Sequence, residues 1–154
     1  MTRTTIDFGI DLGTTNSAVA VLNGTVPDVI KNHLDNNDIT PSAVYINKRN
    51  ETQLGTRAKN RLEDEESVDD ANLEVKRRMG TAHQYECRSA GRVMSPEELA
   101  AEVLKGLRGN VRQRLGEEIE AAVITVPAVF EQKQCAATKR AAALAGLVHC
   151  PLVQ

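Results

Sequence analysis

Asp11, Gly13, Thr14, Thr15 and Asn16 stand together in the string IDFGIDLGTTNSAVAV, residues 6–21. Their types suit the holding of a charged phosphate chain. Glycine admits an anion close to the main chain because no Cβ intervenes. Backbone N–H groups and the Thr14 and Thr15 hydroxyls can donate hydrogen bonds to phosphate oxygens. Asp11 can hold, through its waters, the magnesium that travels with a nucleotide. Taken alone, a Gly-Thr-Thr turn after a strand is more often only a turn. No GxxxxGK[ST] loop occurs, which excludes a P-loop site.

Two strands must position these groups. Ile6, Phe8, Ile10 and Leu12 alternate with Asp7, Gly9, Asp11 and Gly13, the period of a strand with one apolar face. Residues 17–22 resume strand character after the turn. Asn23-Gly24 then separates them from residues 25–30 and predicts a second hairpin, with both central residues at positive φ. Residues 31–38 read as a loop and 43–47 as a fourth strand, with Pro41 at its approach.

The middle of the chain is less regular. Residues 53–55 read as a short extended piece. Thr56 is placed to cap a helix over 57–62, and residues 63–70 carry six acidic side chains of the kind found on a solvated face. A short helix is predicted over 71–79, stopped by Gly80, and a small hairpin from 85–88 and 92–94. Ser95, Pro96 and Glu98 spell an N-cap, an N1 proline and a capping box. Leu99, Val103, Leu107, Val111 and Leu115 then recur every four residues as an amphipathic helix, in which Gly106 and Gly109 cost about 1 kcal/mol each against alanine. Residues 120–126 form a buried-type strand ended by Pro127, 131–145 a helix stopped by Gly146, and 147–153 a further strand.

The whole has 154 residues, 41% hydrophobic and 3% aromatic, so a real core must rest on aliphatic side chains and alanine. The net charge of -2 leaves no basic footprint for nucleic acid or an anionic membrane. Cys87, Cys135 and Cys150 show no metal-ligand spacing and read as small buried hydrophobes of a reducing compartment. His33, His83 and His149 are scattered and carry no assigned role. There is no apolar signal core and no run of transmembrane length, so cytoplasmic residence is the expectation.

The full string Gly9-Ile10-Asp11-Leu12-Gly13-Thr14-Thr15-Asn16-Ser17 resembles the first phosphate motif of the seventy-kilodalton heat-shock chaperones, the DnaK-type family. Further segments are similar to that family in the same order: Thr40-Pro41-Ser42, Leu54-Gly55 with Ala58-Lys59, Val75-Lys76-Arg77 with Met79-Gly80, Ala122-Val123-Ile124-Thr125-Val126-Pro127-Ala128, and Leu144-Ala145-Gly146-Leu147. The resemblance implies an α/β fold, the first lobe of an actin-like ATPase. Its mixed five-stranded sheet would carry packed helices and a small inserted subdomain at about residues 40–95. It implies ATP or ADP with Mg2+ as ligands, ATP hydrolysis in the complete protein, unfolded polypeptide clients and a J-domain co-chaperone. Asp11 would help hold the metal, Gly13, Thr14, Thr15 and Asn16 would wrap the phosphates, and Lys76 would stabilise the terminal phosphate and orient the attacking water.

Plain alternatives stand beside these roles. An isolated lysine is usually a solvated one; the match around Lys76 is what favours a catalytic role. Arg77 is read as a structural partner of the acidic stretch. Pro127 is either a strand terminator or, as in the family, a relay between nucleotide and partner domain.

The sequence also departs from the family. Val129 replaces a tyrosine, Glu131-Gln132 an Asn-Asp pair and Cys135 an arginine, on the surface that passes signals between domains. The usual coupling is therefore not expected to carry over unchanged. The shortened stretch between Gly80 and Ser95, with Ile39, is similar to the short bacterial HscC type. The second phosphate loop and adenosine pocket would follow residue 154, so residues 1–154 alone are expected to hydrolyse ATP weakly or not at all. A sugar or acetate kinase of the same superfold would need a sugar-binding segment that is not apparent. An actin-like filament protein fits Leu12-Gly13-Thr14-Thr15-Asn16 less well, and a docking module without catalysis is the remaining alternative.

Overall fold

A computed structural model describes residues 3–64 and 72–154. Strands β1 (Phe8–Leu12), β2 (Asn16–Asn23) and β3 (Val26–Val29) form an antiparallel meander. Two later strands, β10 (Val123–Thr125) and β11 (Leu152–Val153), add to the other side of β1 in parallel, giving the order β11-β10-β1-β2-β3. The two-residue β4 (Thr40–Pro41) also pairs with β2. The mixed sheet thus has the expected five-strand path with one short addition.

Alternation decides the faces. Phe8, Ile10 and Leu12 of β1 and Val19 and Val21 of β2 are buried, whereas Gly9 and Asp11 point to the other side. Helix α2 (Pro96–Leu115) covers the apolar face with Leu99, Val103, Leu104, Leu107 and Val111. Its Ser95 Oγ accepts from Glu98 N–H at 3.1 Å while Glu98 Oε1 accepts from Ser95 N–H at 3.2 Å, so the predicted capping box is formed. Helix α3 (Gln132–Leu144) packs beside α2 through Ala137, Ala141 and Ala142, small enough for close approach.

The middle segment builds two smaller sheets. One has the order β6-β5-β7, from β5 (Ala43–Ile46), β6 (Thr52–Leu54) and β7 (Asn72–Leu73). The other pairs β8 (Tyr85–Cys87) with β9 (Arg92–Met94). Val44, Ile46, Val75, Met79, Cys87 and Met94 join the main core, and only Ala43, Tyr45 and Ala58 form a separate small cluster.

Four local expectations change. The described part of the predicted 71–79 helix is instead β7 followed by a 3-10 turn, Val75–Arg78. Asn72 and Leu73 pair with Val44 and Ala43, and Glu74 takes a left-handed φ of 54°, which no helix continues through. Tertiary pairing overrides weak local propensity here. The second hairpin is shifted by one residue: Asn23 pairs with Val26, so Gly24 and Thr25 make the turn, with positive φ only at Gly24. Glycine first in a two-residue loop suits a II′ turn. Thr56 is the first residue of α1 (Thr56–Asn60) rather than its cap, and its hydroxyl donates to Asp35 Oδ2 at 3.0 Å. The strand predicted over 147–153 shrinks to β11, preceded by an isolated bridge between Ala121 and His149. The acidic run read over 63–70 lies mostly outside the described residues; Asp64 pairs with Arg61 at 3.3 Å.

Candidate functional site

The C-terminal ends of β1 and β10 converge on one edge of the sheet. The β1–β10 register sets Asp11 beside Thr125, whose hydroxyl donates to Asp11 Oδ1 at 3.3 Å. The Asp11 residue is exposed on the face away from the helices. Beyond it residues 13–15 make the turn into β2. The space where a Gly13 Cβ would sit is filled by the Asn16 carbonyl oxygen, 1.9 Å away. The turn's own backbone therefore demands glycine at this position. The expected reason was room for a ligand; the structural reason is a backbone crossing.

The loop is fixed from beneath. Ser42 Oγ donates to the Gly13 carbonyl at 2.8 Å, and its N–H donates to the Thr15 carbonyl at 2.8 Å. Since the Ser42 proton goes to Gly13, Ser17 Oγ donates to Ser42 Oγ, 2.7 Å away and also buried. Among the described residues, the amides and hydroxyls of Thr14 and Thr15 make no hydrogen bond within the chain. They remain available to an outside acceptor. The Gly13 and Thr15 carbonyls are thus occupied while the Thr14 and Thr15 donors are not, and unoccupied donors are what an anion needs.

Lys76 enters the same edge from the 3-10 turn Val75–Arg78. Val75 and Met79, on either side of it, are buried in the core and fix the turn. The Lys76 ammonium donates to the Leu12 carbonyl, at the end of β1 and one residue from Asp11. It also lies 5.3 Å from the centre of the Phe130 ring. Burial pushes the Lys76 amine below the ordinary lysine value, and the nearby Asp11 charge works against that shift. A half-buried ammonium with a carboxylate close by is a cation fixed in place rather than a mobile surface charge.

Pro127 follows β10 and is exposed; its carbonyl accepts from Phe130 N–H at 3.0 Å in the turn that carries Phe130 to Lys76. Val129, at the tip of that turn, is 85% exposed. The structure thus brings Asp11, the Gly13 to Asn16 turn and Lys76 to one edge, with Pro127 at its margin. Sequence reasoning left out Ser17, Ser42, Thr125 and Phe130 as site-shaping residues. Ser17, Ser42 and Thr125 stood within the segments similar to the family and Phe130 just after one of them, but nothing local to any of the four pointed to the site.

The donor set fits a nucleotide's metal only in one way. No group of three or more His, Cys, Asp or Glu side chains that could hold a metal occurs among the described residues. Asp11 is a single carboxylate, the pattern for magnesium held through waters and phosphate oxygens rather than by a protein cage. A separate groove of about 630 Å³, lined by residues including Arg3, Thr5, Lys139 and His149, lies at the opposite, N-terminal ends of the parallel strands. It shares no residue with the edge described above.

No helix among the described residues is long and apolar enough to cross a membrane. A family model described as Hsp70 protein matches residues 7–153. That span contains Asp11, the glycine-threonine turn, Lys76 and Pro127 and nearly the entire chain, and its mixed sheet with helices agrees with the family's ATPase fold. The chain belongs to the Hsp70 family and corresponds to the N-terminal part of its ATPase domain.

Proposed function

We propose that this edge binds the phosphates of ATP and ADP, as part of a chaperone ATPase whose hydrolysis drives capture and release of unfolded polypeptide. Gly13, Thr14, Thr15 and Asn16 wrap the phosphates, with the free Thr14 and Thr15 donors turned to them. Asp11 holds magnesium through water, and Thr125 orients the Asp11 carboxylate. When bound, the metal neutralises phosphate charge and polarises the oxygens to which it binds. Lys76 supplies a fixed positive charge beside the terminal phosphate and orients the attacking water; in phosphoryl transfer, such positioning and charge stabilisation make up most of catalysis. Pro127, at the start of the turn that holds Phe130 by Lys76, passes the nucleotide state toward a partner domain. Residues of about 40–95 serve as a small subdomain over the site, and the short stretch between Gly80 and Ser95 fits a compact bacterial member of the HscC type. A J-domain co-chaperone and cytoplasmic residence complete the proposal.

The observation that carries it is the meeting of the half-buried Lys76 ammonium with the Leu12 carbonyl, at the end of the strand that leads into the turn. Calorimetry of the chain with ATP and ADP, each with and without magnesium, tests it. Magnesium-dependent binding that weakens in Lys76→Ala and in Asp11→Asn supports the assignment. Binding unchanged in both variants would overturn it.

A further inference from the structure

Lys76 does not position itself. The far end of its turn is Gly80, and the Gly80 N–H donates to Glu97 Oε1 at 3.3 Å. Glu97 lies in the first turn of α2 with its side chain only 11% exposed. The same oxygen accepts from Arg140 Nη2 of α3 at 3.0 Å. One carboxylate oxygen thus ties together the Lys76 turn, α2 and α3. Gly80 also presses on the first turn of α3: a Cβ there would stand 3.1 Å from the Lys133 carbonyl oxygen. Directly before α3, Phe130 carries the ring beside the Lys76 ammonium. The far end of the turn is therefore held by Glu97 and α3, and the tip of its lysine meets a ring carried just before α3.

We propose that Glu97 is a positioning residue for Lys76, with Arg140 as its counter-ion. The inference rests on the phosphate-site reading for its functional consequence, but the positioning can be read without nucleotide. A buried carboxylate shared by a backbone N–H and a guanidinium keeps the bond direction fixed, because charge-assisted hydrogen bonds are the strong ones. Without it, Gly80 retains only packing against α3, and the Lys76 ammonium loses its fixed reach to Leu12.

Two variants divide the possibilities. Glu97→Gln keeps an acceptor for Gly80, and Glu97→Ala removes it. The first readout is the titration of the Lys76 amine by NMR in the chain without nucleotide. Glu97→Ala is expected to return the amine toward the ordinary lysine value, and Glu97→Gln to retain most of the wild-type shift. The second is Mg·ATP affinity in a double-mutant cycle. Glu97→Ala should weaken binding about three- to tenfold, as loss of one hydrogen-bond interaction does. It should have no further effect once Lys76 is already alanine.

A Lys76 titration unchanged in a folded Glu97→Ala chain overturns the proposal. So does an equal loss of affinity in the wild-type and Lys76→Ala backgrounds. If Glu97→Ala fails to fold, Arg140→Ala carries the test: without its counter-ion Glu97 should hold Gly80 less firmly and the Lys76 amine should move toward the ordinary lysine value, and an unchanged titration overturns the proposal. Should Lys76→Ala itself leave nucleotide binding intact, the phosphate reading fails while the titration still decides the positioning.

Discussion

Two residues bear most of the proposed chemistry, and they depend on their surroundings differently. Gly13 is fixed by backbone. A methyl group there meets the Asn16 carbonyl oxygen at 1.9 Å, and neither partner is a flexible side-chain end. Gly13→Ala is expected to lower stability by about 1–3 kcal/mol, the cost of forcing atoms into packed space, and to abolish magnesium-dependent ATP binding. Urea denaturation with calorimetry on the same sample checks both. Lys76 is fixed by burial. Its amine loses its proton at lower pH than an ordinary lysine, whose value is 10.5, because burial penalises the charged form. Its contribution to phosphate affinity is therefore present below that lowered value and lost as pH rises through it. ATP affinity should fall as pH rises, with the midpoint of the fall below 10.5 in the wild type, and Lys76→Ala should lack that step.

At the scale of elements, what the sequence made legible was local. Ser95, Pro96 and Glu98 announce α2 because capping depends on residues three apart. The β1 alternation announces both the buried face and the outward Asp11. The 71–79 segment was misread because its strand partners, Ala43 and Val44, are distant in sequence. Thr125 and Phe130 were missed for the same reason, since each meets the site only after β10 has paired with β1. The two helical glycines look alike in sequence but differ in the fold. A Cβ on Gly106 would come within 2.6 Å of the Leu54 side chain, whereas a Cβ on Gly109 meets nothing within 4 Å. Gly109→Ala is thus expected to stabilise the chain by about 0.5–1 kcal/mol through backbone entropy. Thermal unfolding of the two alanine variants should separate them, with Gly106→Ala gaining less.

Across the whole molecule, the chemistry and the anchoring sit at opposite ends of the same sheet. Before β1, Arg3 donates to Asp7 Oδ2 at 2.9 Å and to Glu117 at 2.7 and 2.8 Å, and its guanidinium lies 4.9 Å from the Phe8 ring centre. This ties the start of β1 to the segment after α2. Hydrogen bonding to Arg3 holds the Glu117 carboxyl below its ordinary 4.5, and Thr5 and Arg3 together hold Asp7 below 3.8. Folded-state values that are lowered contribute stability above the unfolded values and lose it as pH falls through the folded ones. The anchor should therefore be fully formed above pH 4.5 and weaken on acidification below it. A midpoint-temperature series from pH 6 to 2.5, at roughly constant ionic strength, should show a smaller acid loss in Glu117→Gln than in the wild type.

The central claim is that nucleotide phosphates sit on the Gly13 to Asn16 turn. An amide NMR titration of the chain with Mg·ATP reads this most directly. The account predicts that the largest shifts fall on Gly13, Thr14, Thr15 and Asn16, with Lys76 moving in step. Shifts gathered instead at the groove of Arg3, Lys139 and His149, or no saturable shifts at all, would contradict it.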